Sequence, residues 1–95
     1  MPGTEFERDV SATLDELAAW IAKAYPEAEQ RGAGDYRITH RDAVLELLAT
    51  PGPERKIALL RLPTLGIRYR FTAGAADDRA ALLERLDLYM HRGGG

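Results

Sequence analysis

The sequence contains no cysteine and no asparagine, only one serine and one glutamine, and no long apolar run. The lack of cysteine excludes disulfides, thiolate metal sites and cysteine nucleophiles. No segment approaches the roughly 18 apolar residues that a membrane-spanning helix needs. The first twenty residues also lack the basic lead and apolar core of a signal peptide. We therefore expect a soluble, cytoplasmic protein that does not associate with a membrane.

Residues suited to catalysis are scarce. The single serine, Ser11, lies on the exposed flank of a predicted helix without a histidine near it in sequence, which disfavours a catalytic triad. His40 and Asp42 could form a ligand or acid–base pair with Glu46, but the "THRD" context is typical of a polar hairpin tip. The glycines of "RGAGD" lack the Gly-Lys-Ser/Thr that a phosphate-binding loop requires. We predict no enzymatic activity, no catalytic residue, no metal site and no cofactor.

Length and composition predict one globular domain. The chain has 95 residues, of which 45% are hydrophobic and 29% are charged, close to ordinary globular averages. We expect the domain to span residues 1–95, with residues 1–4 and 93–95 as frayed termini. The 11 arginines against 2 lysines indicate a GC-rich bacterial genome. Although the net charge is −2, residues 31–72 carry 8 basic and 4 acidic side chains, so positive charge is concentrated in the middle of the chain.

Two segments have the apolar period of a helix. In the first, a stripe recurs at spacings of three and four residues: Val10, Leu14, Leu17, Ile21, Ala24 and Ala28. Thr4 and Glu7 match a capping box, with the "TLDE" of residues 13–16 as a rival start, and Pro26 predicts a stop near Tyr25. We place the start of the helix near Glu5. The second segment, "DDRAALLERLDLYMHR", has acids at its start, His91 and Arg92 at its finish, and Gly93 beyond.

The middle of the chain predicts strands: "DYRIT", "AVLELLA", "KIALLRL" and "GIRYRFT", with a tight turn at residues 40–42. The short connections favour antiparallel neighbours. The predicted class is therefore α+β: a helix, a three- or four-stranded antiparallel meander and a second helix, with both helices packed on one face of the sheet.

The period of two residues in a strand assigns each side chain to a face. Three groups are predicted to point toward the core: Leu45, Leu47 and Ala49; Ala58, Leu60 and Leu62; and Ile67, Tyr69 and Phe71. In the simplest meander, Leu47 then lies opposite Ala58 and Leu62 opposite Ile67. Arg68, Arg70 and Thr72 point to the other face. Since the pleat separates the aromatic side chains from the arginines, the sheet does not offer the combined platform on which single-stranded nucleic acid stacks.

The open face of the predicted sheet is both apolar and basic. It would present four aliphatic side chains, Val44, Leu48, Ile57 and Leu59, beside Glu46, Arg61, Arg68 and Arg70. Burial of each aliphatic side chain is worth about 1.5–3 kcal/mol, which favours a binding partner there. The same register places Arg61 across from Arg68, and like charges in that position repel. Either the arginines splay into solvent, or they pair across a dimer, or they hold an anion.

These observations predict a small non-enzymatic interaction or accessory module that dimerises or docks on an unidentified protein through its open sheet face. The alternative is an RNA-binding module that uses Arg61, Arg68 and Arg70. The predicted order of elements is similar to that of double-stranded-RNA-binding domains, a resemblance of topology alone. Such domains meet phosphates with cations at the start of the second helix, where this chain has Asp77 and Asp78. We therefore rank RNA binding second.

Overall fold

The computed structural model describes residues 4–94, and the side chains of residues 4–90. The chain forms two helices, a five-stranded sheet and a separate two-stranded hairpin, which makes it an α+β protein. The elements in chain order are β1 (Glu5–Val10), α1 (Leu14–Ala24), β2 (Glu29–Gly32), β3 (Asp35–His40), β4 (Ala43–Pro51), β5 (Arg55–Ile57), β6 (Leu60–Leu62), β7 (Leu65–Ala73) and α2 (Ala76–Gly94).

The main sheet is antiparallel at every pairing and has the strand order β1-β7-β4-β3-β2. It differs from the predicted meander in three ways. A strand precedes the first helix, β2 adds an edge strand that was not predicted, and the predicted strand "KIALLRL" is not part of the sheet. The resemblance to double-stranded-RNA-binding topology is therefore weaker than the sequence indicated, because β1 pairs with β7 as an edge strand.

The predicted helix start near Glu5 is wrong. Residues 5–10 form β1, and Phe6 stacks on Tyr69 of β7 with ring centroids 4.6 Å apart. Apolar side chains at positions 6 and 10 fit either a strand or a helix, and pairing with β7 decides for the strand. The rival start is the true one: Thr13 and Glu16 form a complete capping box before α1. The predicted stop is confirmed, since α1 ends at Ala24 with Tyr25 as its cap.

The predicted strand at residues 56–62 is also wrong. It is split between β5 and β6, which pair only with each other, while β4 pairs directly with β7. Leu47 therefore lies opposite Tyr69, not opposite Ala58. The segment is flanked by Pro51, Pro53 and Pro63, and proline cannot donate a ladder hydrogen bond. Ala58 and Leu60, predicted to be buried, are exposed.

One cluster of buried side chains joins the sheet to the helices. The predicted inward residues of β4 and β7 are all buried, as are Leu17, Ile21 and Ala24 of α1 and Leu82, Leu86 and Met90 of α2. Tyr25 ties the helices together, because its hydroxyl donates a hydrogen bond of 3.1 Å to the Leu82 carbonyl. Arg68, Arg70 and Thr72 are exposed on the opposite face, as their parity predicts.

The remaining local predictions have mixed outcomes. The tight turn between β3 and β4 is confirmed, and Arg41 adopts φ 55° in it. α2 extends through Gly93, whereas the sequence predicts that the helix ends before this residue. Residues 1–3 and 95, where we predicted fraying, lie outside the described residues, and so does the side chain of His91. Within the described residues, neither helix is long and apolar enough to cross a membrane.

Gly74 connects β7 to α2 in a conformation that other residues avoid. Its φ is 108°, and a Cβ there would lie 2.8 Å from the Ala43 Cβ. We expect Gly74→Ala to lower the free energy of unfolding by about 2 kcal/mol or more. Gly66→Ala is the matched control, since its Cβ would meet no atom closer than 3.7 Å. A denaturant series that shows equal losses for the two variants would contradict this assignment.

The buried hydroxyl of Tyr69 makes the free energy of unfolding depend on pH in the alkaline range. Burial raises its pKa to about 12, against an opposing attraction to Arg8. The folded-state pKa lies above the ordinary value of 10.0. The contribution of neutral Tyr69 to the free energy of unfolding is therefore complete below pH 10 and is lost as the pH rises toward 12. We expect unfolding free energy to fall by about 2–3 kcal/mol over this interval. In Tyr69→Phe the unfolding free energy should depend less on pH over this interval. Urea titrations that give the same pH dependence for the variant and the wild type would contradict this assignment.

Candidate interaction surface

A row of alternating charges crosses the outer face of the main sheet. The registers place Glu5 opposite Arg70, Arg70 opposite Glu46, Glu46 opposite Arg37, and Arg37 opposite Glu29. One residue from each of the five strands contributes, so every arginine in the row has a glutamate on both sides. Opposite charges in directly facing positions stabilise a sheet. This row therefore has a structural role in addition to any role in binding.

Several ion pairs connect this face. Arg31 pairs with Glu46 and with Asp35, and Arg37 Nε lies 3.6 Å from Glu46 Oε2. At the β1 edge, Arg68 lies 3.0 Å from Glu7 and 3.9 Å from Glu5. The hydrogen bond to Glu46 raises the pKa of Arg31, with partial opposition from desolvation. Ion pairs on this face thus involve three of the 8 basic side chains in residues 31–72: Arg31, Arg37 and Arg68.

The three arginines predicted to form one cluster do not lie together. Arg68 and Arg70 are exposed on the outer face of β7, whereas Arg61 lies on β6 outside the main sheet. The residue opposite Arg68 on β4 is Leu48, not Arg61. Arg70 makes no ion pair with any residue of the described part of the chain. It borders a shallow depression beside Glu5, Glu46 and Leu48.

The four apolar residues predicted to form one interface also separate into two groups. Val44 and Leu48 lie on the outer face of β4, where Val44 is half-buried and Leu48 is 47% exposed. Ile57 and Leu59 lie on the hairpin of β5 and β6, residues 55–62, which we call the arm. Every residue from 51 to 61 is exposed, and Leu59 at the tip is 100% exposed. Leu60, missed as a surface residue, is 62% exposed.

Hydrogen bonds hold the base of the arm in place, although its tip is exposed to solvent. The Gly52 amide donates to the Thr64 carbonyl at 2.9 Å, and the Thr64 hydroxyl donates to the Pro53 carbonyl at 2.8 Å. Ser11 Oγ adds a bond of 3.2 Å to the Pro63 carbonyl. Prolines on both sides restrict the backbone further. The arm therefore leaves the sheet in a defined direction.

An open groove of about 290 Å³ lies beside the base of the arm, and we call it the base groove. Its apolar lining includes Ala12, Leu14, Pro63 and Leu65, and its polar lining includes Asp15 and Glu54. Ala12, Leu14 and Asp15 of this lining precede or begin α1, so the capping box of Thr13 and Glu16 fixes their position. No residue from 57 to 60 is among those that line it.

The residues considered for catalysis occupy separate places in the structure and have other contacts. Ser11 is used at the base of the arm. His40 packs edge-on against Tyr25, with ring centroids 5.8 Å apart. Glu46 lies in the charge row, on the face opposite the core. Among the described residues, no three His, Cys, Asp or Glu side chains are placed to hold a metal ion.

Sequence reasoning missed Lys56 and Leu60 as surface residues of the arm. The signal that could have identified them is the placement of three of the five prolines, Pro51, Pro53 and Pro63, around one short segment. Prolines at both ends predict a segment that leaves a sheet. The alternation of apolar residues in "KIALLRL" favours a strand of the sheet instead.

Comparison of the chain with protein-family models and with curated protein sequences gave no match.

Glu46 should be the most important carboxylate of the outer face. Its loss would leave Arg31, Arg37 and Arg70 around an uncharged side chain. We expect Glu46→Gln to destabilise the protein by about 1 kcal/mol at low salt, and less at high salt, where the remaining repulsion is screened. The control is Glu7→Gln at the exposed sheet edge, where a surface pair contributes about 0–1 kcal/mol. Equal effects for both variants, or no salt dependence for Glu46→Gln, would contradict this ranking.

Proposed function

We propose that this chain is a non-enzymatic interaction module that docks on a protein partner through the arm and the adjoining outer face of the sheet. The single observation that supports this function best is the exposure of Leu59 at the tip of an arm whose base is fixed. In this proposal both helices cover the same face of the sheet, so the opposite face and the arm remain open to a partner.

The arm has the properties of an anchor for a partner. Ile57, Leu59 and Leu60 are at least half exposed within four consecutive residues. Full burial of each would contribute about 1.5–3 kcal/mol, a gain that the isolated chain does not obtain. A clustered apolar tip of this kind is typical of interaction sites. Because the base of the arm is already ordered, docking would cost less conformational entropy than ordering a flexible loop.

The outer face of the sheet would give specificity to this contact. Leu48 and Val44 provide a small apolar patch, and paired charges surround them. Charges at the edge of an interface select partners and speed association more than they add affinity. Arg70, without an ion pair among the described residues, is the arginine best placed to meet an acidic group of the partner.

RNA binding through the same arginines is a weaker candidate. A phosphate at Arg68 would lie beside Glu5 and Glu7, and one at Arg70 would lie between Glu5 and Glu46. These carboxylates repel a polyanion and compete for the arginines, which lowers the electrostatic contribution that drives such binding. The exposed aliphatic residues of the arm also give no surface on which bases stack. The charge distribution thus favours a protein partner.

A photoreactive amino acid at position 59 tests this function. We expect p-benzoylphenylalanine in place of Leu59 to give a discrete protein adduct in cells of the source organism, because the arm tip would be buried in the complex. The matched control is the same substitution at Leu88, which is 60% exposed on α2. Both variants are first checked for wild-type secondary structure by circular dichroism. Equal or absent crosslinking at positions 59 and 88 would contradict the proposal.

A further inference from the structure

The arm is incomplete as an isolated element. It has only two strands, and a two-stranded hairpin without a covering layer is marginally stable in water. Its turn also holds Ala58 at φ 54°, a conformation that costs a non-glycine residue free energy. Lys56 lies directly opposite Arg61, and like charges in that position repel. The carboxylate of Glu54, 4.0 Å from Arg61, only partly offsets this repulsion.

The base groove has the complementary character. The arm combines an apolar tip with Arg55, Lys56 and Arg61 behind it, whereas the groove combines an apolar wall with Asp15 and Glu54. An arm seated in such a groove would bury its leucines and place carboxylates near its paired cations. The arm of the same chain does not do this, since its tip residues are not among those that line the groove.

We propose that the partner of the arm is a second copy of this chain, with the arm of each protomer seated in the base groove of the other. This inference rests on the proposed function and names its partner. Arm and groove lie at the same end of the molecule, because the groove is formed by residues at the base of the arm. A two-fold axis near the two bases therefore satisfies both contacts at once, as an isologous interface requires.

The two ends of each contact have defined chemistry. Leu59 and Leu60 of one protomer would pack on Leu14, Pro51 and Pro63 of its partner, which line the groove and are partly or fully accessible. Lys56 and Arg61 would lie near the carboxylates of Asp15 and Glu54. This arrangement resolves the repulsion between Lys56 and Arg61, which an apolar partner or a basic one would leave in place. Charge complementarity is thus the observation that favours a second copy.

The first measurement is the molar mass of the full chain by light scattering and sedimentation over a concentration series. We expect a dimer whose dissociation constant rises by about 100-fold or more in Leu59→Glu, because each dimer loses two central apolar anchors and buries two charges. Leu88→Glu, on a leucine of α2 that is 60% exposed, should leave the dimer intact. Circular dichroism and thermal unfolding identify any variant that fails to fold.

A charge exchange then tests the geometry itself. One variant carries an acidic arm, Lys56→Glu with Arg61→Glu, and the other carries a basic groove, Asp15→Arg with Glu54→Arg. Each should be mainly monomeric alone, since its arm and groove then have the same sign. Mixed together they should form a heterodimer, because the acidic arm meets the basic groove and the basic arm meets the acidic groove. Native mass spectrometry resolves the heterodimer from either homodimer.

The outcomes separate this inference from the proposed function. A wild-type chain that stays monomeric at its highest soluble concentration overturns the inference, and so does a dimer unaffected by both the Leu59 change and the charge exchange. If such a chain still crosslinks to another protein through position 59, the interaction module stands with a different partner. If it crosslinks to nothing there, the inference and the proposed function fail together. Rescue of the dimer only in the mixture supports the exchange of arms.

Discussion

The direct pairing of β4 with β7 is the constraint on which the rest of the structure depends. It places Leu45 opposite Phe71 and Leu47 opposite Tyr69, so the largest buried side chains face each other at the centre of the sheet. It also leaves β7 free to receive β1 on its other side. The thirteen residues between the paired strands, 52–64, then cannot enter the sheet, and they fold back on themselves as the arm and its base.

The same pairing determines the electrostatics of the outer face. A meander would bring Arg61 beside Arg68 and create repulsion, whereas the observed register brings Arg70 between Glu5 and Glu46. Acids of β1, β3 and β4 pair with three cations of the basic middle segment, Arg31, Arg37 and Arg68. One like-charge pair remains, Lys56 with Arg61, and it lies on the arm, where no strand of the main sheet can supply a carboxylate. The unbalanced charge and the unburied leucines therefore occur in the same element.

Local features of the sequence predicted local features of the structure. The parity of Tyr69 and Arg68, the stop before Pro26, the turn around Arg41 and the buried face of α2 all follow from the spacing of nearby residues. The failures concern which segments meet. Thr4 and Thr13 offer equivalent capping signals, and only the stacking of Phe6 on Tyr69, far away in sequence, makes the first segment a strand. Strand neighbours depend on burial summed over the whole sheet, which a period of two residues does not specify.

The candidate surface was predicted as a set of residues but not as an arrangement. All seven residues predicted for it are at least partly accessible. They divide between the sheet and the arm because β4 pairs directly with β7, which leaves residues 55–62 outside the main sheet. The three prolines explain both results. Because proline has no backbone N–H to donate, these residues exclude the segment from the sheet. Because proline also restricts the backbone at the base, the excluded segment leaves the sheet in a defined direction. A chain that merely needed to connect β4 to β7 would gain nothing from apolar residues at the tip of that connection. The exposed leucines of the arm would become stabilising only if another surface covered them, and the proposed complex supplies such a surface.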